Sequence, residues 1–141
     1  MKVNTLQRYG LRAMLEVALH DQSGLFQKDI AHNQKISNRY LDHIVSRLKT
    51  AGLLKNKSGK KSGYILGRDA AEITVLDIMN AFQTDVQVVD CVDSDYECHQ
   101  KPGCVVGRFW MDLNTCIKDF LSTTTLKMLA KEQEKIYEKF Q

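Results

Sequence analysis

The sequence contains no apolar run long enough to cross a membrane, and its first residues, Met1-Lys2-Val3-Asn4-Thr5, lack the apolar core of a signal peptide. It also contains no internal repeat, no low-complexity segment and no glycine-rich loop of the kind that cradles phosphates. No general base stands in a recognisable catalytic motif, which argues against a small thiol or metal enzyme. We therefore expect a cytoplasmic protein that is not an enzyme.

Charge is distributed unevenly along the 141 residues. Residues 1–70 carry 13 Lys and Arg against 5 Asp and Glu, whereas residues 71–141 carry 7 against 12. The hydrophobic and charged fractions, 43% and 26%, are those of an ordinary globular protein of about one domain. A basic first half beside an acidic second half predicts a polyanion-binding module followed by a segment with another role.

Apolar residues at helical spacing predict three helices in the first fifty residues, over 5–20, 27–33 and 37–49. Ser37 has the side chain of an N-cap for the third helix, and Gly52 can end it in a left-handed conformation. Two short apolar segments, 53–54 and 64–66, flank a basic, glycine-containing tip and predict a β-hairpin. Three helices and a hairpin predict a mainly α fold with a small β wing, a winged helix-turn-helix.

The second half begins with a fourth predicted helix over 75–82, capped by Thr74. The helical period is lost over 84–103 and returns in a long helix up to Leu121, followed by a charged last helix over 126–140. These changes divide the chain into segments 1–83, 84–104 and 105–141.

DNA binding requires cations for phosphates and a protruding helix that reads base edges. The third helix would supply the reader, since the second of two turn-linked helices usually makes the base contacts from its N-terminal residues. Arg39 matches the acceptors of guanine, and Asp42 can accept from a cytosine amino group. The predicted DNA-binding residues are Ser37, Asn38, Arg39, Tyr40, Asp42 and His43 in this helix and Lys57, Lys60 and Lys61 in the wing. A winged helix that binds another protein is the alternative.

Three of the four cysteines, Cys91, Cys98 and Cys104, are grouped in the segment without a helical period, spaced C-x6-C-x5-C. Grouped thiols in a cytosolic protein indicate a metal site or a redox switch rather than structural disulfides. The spacing differs from that of zinc fingers, and three thiols leave one coordination position open. Glu97, His99, Cys116, an acidic loop residue or a ligand from a partner chain could fill it. Cys116 also lies on the apolar face of the long helix, so we expect it to be buried in the core.

These parts, in this order, resemble the winged-helix iron–sulfur transcription regulators of the IscR and NsrR type, over nearly the whole chain. The resemblance is carried by the opening segment 1–18, Ile36-Ser37-Asn38-Arg39-Tyr40-Leu41, the segment 46–53, Gly63-Tyr64-Ile65-Leu66-Gly67, the three grouped cysteines and Trp110-Met111-Asp112-Leu113.

The resemblance implies a homodimer in which the helix from Cys104 to Leu121 crosses its counterpart. It makes 1–83 the DNA-binding domain, 84–104 a sensor loop and 105–141 the dimerisation and C-terminal helices. It further implies that Cys91, Cys98 and Cys104 hold a [2Fe–2S] or [4Fe–4S] cluster that controls binding to a pseudo-palindromic operator in double-stranded DNA.

Two positions depart from the pattern of these regulators. IscR-type members carry a histidine three residues after the third cysteine, where this chain has Gly107. NsrR-type members take an acidic ligand from the first helix, where this chain has Gln7 and Arg8. The fourth ligand is therefore unassigned.

Overall fold

The structure is a computed structural model that describes residues 2–58, 63–83, 86–92 and 103–140. Its elements, in chain order, are the helices α1 (Thr5–Leu19), α2 (Gln27–Gln34) and α3 (Asn38–Thr50), the strands β1 (Leu54–Asn56) and β2 (Tyr64–Leu66), and the helices α4 (Val75–Asn80), α5 (Val105–Thr123) and α6 (Leu126–Lys139). Short 3₁₀ turns occupy Ala70–Glu72 and Asp90–Val92. The mainly α fold with a small β wing is confirmed.

The helix boundaries lie close to the predicted ones, because the capping signals in the sequence form as expected. Ser37 Oγ accepts a hydrogen bond from Tyr40 N at 3.0 Å, and Gly52 follows α3 with φ +75°. The largest differences are in α4, which ends at Asn80, and in α5, which continues to Thr123. The Thr123 hydroxyl donates back to Asp119 O at 2.8 Å, so this threonine belongs to the last turn of α5.

The wing is an antiparallel pair in which Leu54 faces Leu66 and Asn56 faces Tyr64. Leu25 extends this pair, since its N–H and carbonyl both hydrogen-bond to Tyr64. Gly63, at φ +74°, allows this approach: a Cβ at this position would lie 2.7 Å from the Leu25 backbone. The wing is thereby fixed to the segment that leads into α2.

The main core lies between α1, α2, α3 and the wing. Its largest fully buried side chains are Met14, Val17, Ile30, Leu41, Ile44, Leu48, Leu53, Ile73, Ile78 and Leu126. Leu126 belongs to α6, which packs against α1. A helix from the last third of the chain therefore completes the core of the winged half.

Two N-cap threonines join α6 to α4. Thr74 and Thr125 form an antiparallel bridge in which Val75 N donates to Thr124 O at 2.9 Å and Leu126 N donates to Ile73 O at 2.8 Å. Each threonine also caps its own helix through its hydroxyl. The two helices consequently begin side by side.

A smaller cluster packs α5 against α4 through Val75, Met79, Val86, Ile117 and Leu121. In the described ranges, none of the helices is both long and apolar enough to cross a membrane.

Candidate DNA-binding surface and cysteine site

Helix α3 presents one polar face to solvent. Leu41, Ile44 and Leu48 are fully buried on one side, whereas Arg39 and His43 are exposed on the other. This division follows from the helical period, which places residues three and four apart on the same side. The helix is therefore anchored by its apolar side while its polar side chains remain accessible to a ligand.

The turn between α2 and α3 sets the angle at which α3 projects. Lys35 adopts the left-handed conformation, with φ 55° and ψ 45°. Ile36 N donates to Ala31 O at 3.1 Å, and Lys35 N donates to His32 O at 3.2 Å. This is a Schellman motif, which satisfies the last carbonyls of α2 and turns the chain sharply into the start of α3.

An aromatic contact joins α1 to the first turn of α3. The rings of Tyr9 and Tyr40 meet edge to face, with centroids 6.0 Å apart. The guanidinium groups of Arg8 and Arg12 lie 5.9 and 5.6 Å from the Tyr9 ring centroid, within the range of cation–π contacts. Sequence reasoning missed these two exposed arginines, although their spacing around Tyr9 was a usable signal. They bring further positive charge to the side of α1 that contacts the first turn of α3.

A groove of about 380 Å³ runs beside α3 and is lined by residues of α3 from Asp42 to Thr50, by Gln27 and by Tyr64. Burial, and to a lesser degree the nearby Asp42 carboxylate, raises the pKa of Tyr64 above 10.0. Lys49 Nζ lies 5.7 Å from the centroid of the same ring. Gln27, the first residue of α2, was not among the predicted site residues. No signal in the sequence marks it, because its neighbours belong to distant segments.

Only one of the three predicted wing lysines lies in the described residues. Lys57 Nζ donates to the carbonyls of Gln22 at 2.9 Å and Ser23 at 3.3 Å. Lys57 thus ties the wing to the turn after α1. Lys60 and Lys61 lie outside the described residues.

Helix α5 positions both described cysteines of the grouped set. Cys104 is its N-cap, and Cys104 Sγ accepts a hydrogen bond from Gly107 N at 3.2 Å. Cys91 lies on the 3₁₀ turn Asp90–Val92, which contacts α5. Asn114 is buried on α5 and accepts from Val88 N at 2.9 Å, which fastens the segment before Cys91 to this helix. Cys98, Glu97 and His99 lie outside the described residues.

Cys116 is exposed on α5 rather than buried in the core of the chain, so the expectation for it was wrong. The reason is that α5 has two apolar faces, and only the face with Ile117 and Leu121 packs against α4. Twelve residues separate Cys104 and Cys116 along one helix, a rise of about 18 Å. The two thiols of one chain therefore cannot bind the same compact metal centre.

Gln7 has a structural role in the fold. It is buried, forms a capping box with Asn4 and donates through Nε2 to Met79 O at 3.4 Å. A Cβ at Gly107 would lie 3.6 Å from Cys104 Sγ, so a side chain at this position would adjoin the thiol. Within the described ranges, no three metal-binding side chains come together.

The second apolar face of α5 is a stripe that the other described residues leave largely uncovered, with only Leu113 half-buried. Its residues recur at alternating spacings of three and four, and they are Val106, Phe109, Leu113, Cys116 and Phe120. Val106, Phe109 and Phe120 are 57%, 58% and 71% exposed. Alternation of three and four is the pattern of helices that pack against a partner helix.

Helices α2 and α3 are joined by a sharp turn, and α3 has one buried and one exposed face. Together with the hairpin wing, these features define a winged-helix DNA-binding protein. The chain belongs to the Rrf2 family of iron-dependent transcriptional regulators, whose family model matches residues 3–132. It is a DNA-binding transcription regulator and not an enzyme.

The comparisons with individual proteins agree with this assignment. The HTH-type transcriptional regulator IscR of Xenorhabdus nematophila is 37% identical over 135 residues, which span 95% of this chain and 82% of the relative. CymR (YrzC), the global cysteine regulator of B. subtilis, superposes with a TM-score of 0.76 at 32% identity over 94% of this chain and 98% of CymR. IscR of T. potens superposes with a TM-score of 0.77 at 29% identity over 96% of this chain and 90% of that protein.

Proposed function

We propose that the protein is a cytoplasmic homodimer that binds a pseudo-palindromic operator with its two α3 helices. The observation that carries this proposal is the polar face of α3, on which Asn38, Arg39, Asp42 and His43 are exposed opposite a buried apolar stripe. Ser37 and Tyr40 fix the first turn, and the wing with Lys57, Lys60 and Lys61 adds phosphate contacts. In a symmetric dimer, two such helices enter successive major grooves.

The uncovered stripe of α5 supports the homodimer. A soluble protein rarely leaves a continuous apolar stripe on a helix without a partner. A second copy of α5 offers the same stripe, and a two-fold axis pairs identical surfaces. Pairing would also bury Cys116, which the protomer alone leaves exposed. In this proposal residues 1–83 read DNA, 84–104 sense the signal and 105–141 dimerise.

We further propose that Cys91, Cys98 and Cys104 bind an iron–sulfur cluster, [2Fe–2S] or [4Fe–4S], that controls operator binding. Two features of the chain fit this group: Cys104 Sγ accepts an amide hydrogen bond at the N-terminus of α5, where negative charge is favoured, and the segment with Cys91 is fastened to the same helix by Asn114. When bound, the cluster supplies a redox-active link between the thiols. The fourth ligand comes neither from Gln7 nor from Cys116 of the same chain.

Through α5, the cysteines are connected to both other parts of the molecule. Cys104 begins the helix that carries the dimer stripe, and Ile117 and Leu121 of the same helix pack against α4. A change in how the thiols are held would alter the start of α5 and with it the spacing of the two α3 helices. The dimer would then have one geometry that fits the operator and one that does not. Operator affinity would depend on how much more favourable the state of the thiols is in one geometry than in the other.

A thiol redox switch without a cluster is the second candidate. Gly107 at the position of the IscR-type histidine favours it. Cys91 and Cys104 form no disulfide in the structure, so both would be available for oxidation.

Anaerobic purification with iron and sulfide assays and a visible spectrum separates the two candidates. With a cluster, we expect bound iron and sulfide that are lost in Cys91→Ser and Cys104→Ser but retained in Cys116→Ser, the matched control on α5. Protein that takes up neither iron nor sulfide on anaerobic reconstitution, with freely titratable thiols, would contradict the cluster and leave the redox switch.

Gel shifts test the DNA-binding surface itself. Arg39→Ala should lower affinity for a selected operator about 10-fold or more, the size of one good base contact. Lys131→Ala, on the exposed side of α6, is the control and should leave affinity unchanged. Equal affinity of both variants would show that Arg39 does not contact the operator.

A further inference from the structure

Gln27 lies where three elements meet. It begins α2, contacts the first two turns of α3 and reaches strand β2 of the wing. Gln27 Nε2 donates to Asp42 Oδ1 and to Asn38 O, the latter at 3.3 Å. Gln27 Oε1 accepts from the Tyr64 hydroxyl at 3.1 Å. One side chain therefore connects two predicted base-reading positions with the wing.

The partners determine the orientation of the Gln27 amide. A carboxylate and a backbone carbonyl can only accept, so the NH₂ group must face Asp42 and Asn38. The amide oxygen then faces Tyr64, whose hydroxyl can donate. The reversed orientation would place three acceptor oxygens together. The Tyr64 hydroxyl is protonated at neutral pH, as for any tyrosine, and can therefore donate.

The hydrogen bond from Gln27 restricts the orientation of the Asp42 carboxylate. A short exposed carboxylate on a helix ordinarily samples several rotamers. Here Gln27 holds Oδ1, which leaves Oδ2 as the oxygen for a base amino group. A carboxylate held in this way favours cytosine or adenine amino groups and repels the acceptor edges of guanine and thymine.

We propose that Gln27 is a positioning residue that determines operator specificity by holding the Asp42 carboxylate on the surface of α3. This inference rests on the proposed role of α3 as the DNA reader. Without Gln27, Asp42 can rotate away from an unfavourable base edge, so wrong bases at that position are penalised less. Tyr64 connects the wing to this arrangement, because its hydroxyl donates a hydrogen bond to the Gln27 amide oxygen.

The test uses the full chain and an operator selected from a randomised duplex library, with each base pair of one half-site then substituted in turn. Asp42→Ala identifies the base pair that Asp42 reads. At that pair alone, we expect Gln27→Leu to reduce the discrimination between the selected base and the worst one from about 10-fold to about 2-fold. Tyr64→Phe should give an intermediate value. Gln83→Leu, the same change at an exposed glutamine after α4, should match the unmodified protein.

Four outcomes decide between the possibilities. A double variant Asp42→Ala with Gln27→Leu that behaves like Asp42→Ala alone supports the proposal. A uniform loss of affinity at every base pair in Gln27→Leu would mean that Gln27 only supports the fold, which overturns it. If Asp42→Ala alters one base pair but Gln27→Leu alters none, this inference fails while the DNA-reading role of α3 stands. If neither Arg39→Ala nor Asp42→Ala changes binding, the proposed function itself fails.

Discussion

At the scale of single residues, Lys35 stands out because it occupies a conformation that favours glycine. Its φ of 55° places the backbone of a residue that carries a Cβ in the left-handed region at the end of α2. The Schellman hydrogen bonds of the turn hold it there. The turn into α3 is therefore built at some cost in backbone strain.

Lys35→Gly should relieve that strain and raise the free energy of unfolding by about 1 kcal/mol. The side chain is exposed, so little packing is lost. Thermal unfolding should show a midpoint a few degrees higher, with Lys28→Gly, inside α2, as the destabilising control. An unchanged or lower midpoint for Lys35→Gly would mean that the turn is not strained.

Tyr64 predicts a dependence of stability on alkaline pH. Burial raises the folded-state pKa of its hydroxyl above 10.0, so folding favours the protonated form. The stabilisation is fully present below pH 10 and is lost as the pH rises through the folded-state pKa. Chemical unfolding at a series of pH values should show a shallower alkaline loss of stability in Tyr64→Phe. An identical loss would assign the effect to other groups.

Residue-level predictability depended on whether the signal was local. The N-cap Ser37 and the terminator Gly52 were predictable, because the residue types that cap helices act on their own neighbours. Gln27 was not, since its hydrogen bonds join residues 11, 15 and 37 positions away. Such contacts exist only once the tertiary fold brings the segments together.

At the scale of elements, α5 shows where periodicity is ambiguous. Apolar residues at helical spacing correctly predicted the helix, but they could not distinguish the face that packs on α4 from the stripe that stays uncovered. Cys116 lies on the uncovered stripe, and for this reason it was wrongly expected in the core. A hydrophobic pattern records what must be buried, without stating whether the same chain or a partner covers it.

Phe109→Asp should break the proposed dimer, because it places two like charges in an apolar seam. The residue is 58% exposed in the protomer, so the fold itself should lose little stability. Light scattering should show a monomer, and operator affinity should fall at least 10-fold because each protomer then binds one half-site alone. Thr115→Asp, on the opposite side of α5, should remain dimeric. A dimeric Phe109→Asp protein would place the interface elsewhere.

At the scale of the whole molecule, part of the positive charge in the first half of the sequence lies on one surface beside α3. Arg8 and Arg12 of α1 flank Tyr9, which touches Tyr40 at the start of α3. We expect these two cations to contact operator phosphates beside the groove that α3 enters.

The order of elements and the winged fold followed from the sequence, whereas the completion of the core by Leu126 did not, because it depends on a contact with α6.

Replacing Arg8 and Arg12 together with alanine should weaken binding to all sequences alike. The slope of log affinity against log salt should become shallower by about 3.6 for the dimer, if each arginine of each protomer neutralises one phosphate. Affinities at several salt concentrations give the slope, and Lys131→Ala serves as the control. An unchanged slope would mean that α1 does not contact the phosphates.

The bridge between Thr74 and Thr125 also determines how the molecule opens. Val75 N and Leu126 N are protected by the same short pairing, one donating in each direction. Leu126 is fully buried, so releasing this pairing exposes part of the main core. The two amides should therefore exchange their hydrogens at one common rate close to that of global unfolding. The winged half and the last helix are then a single cooperative unit.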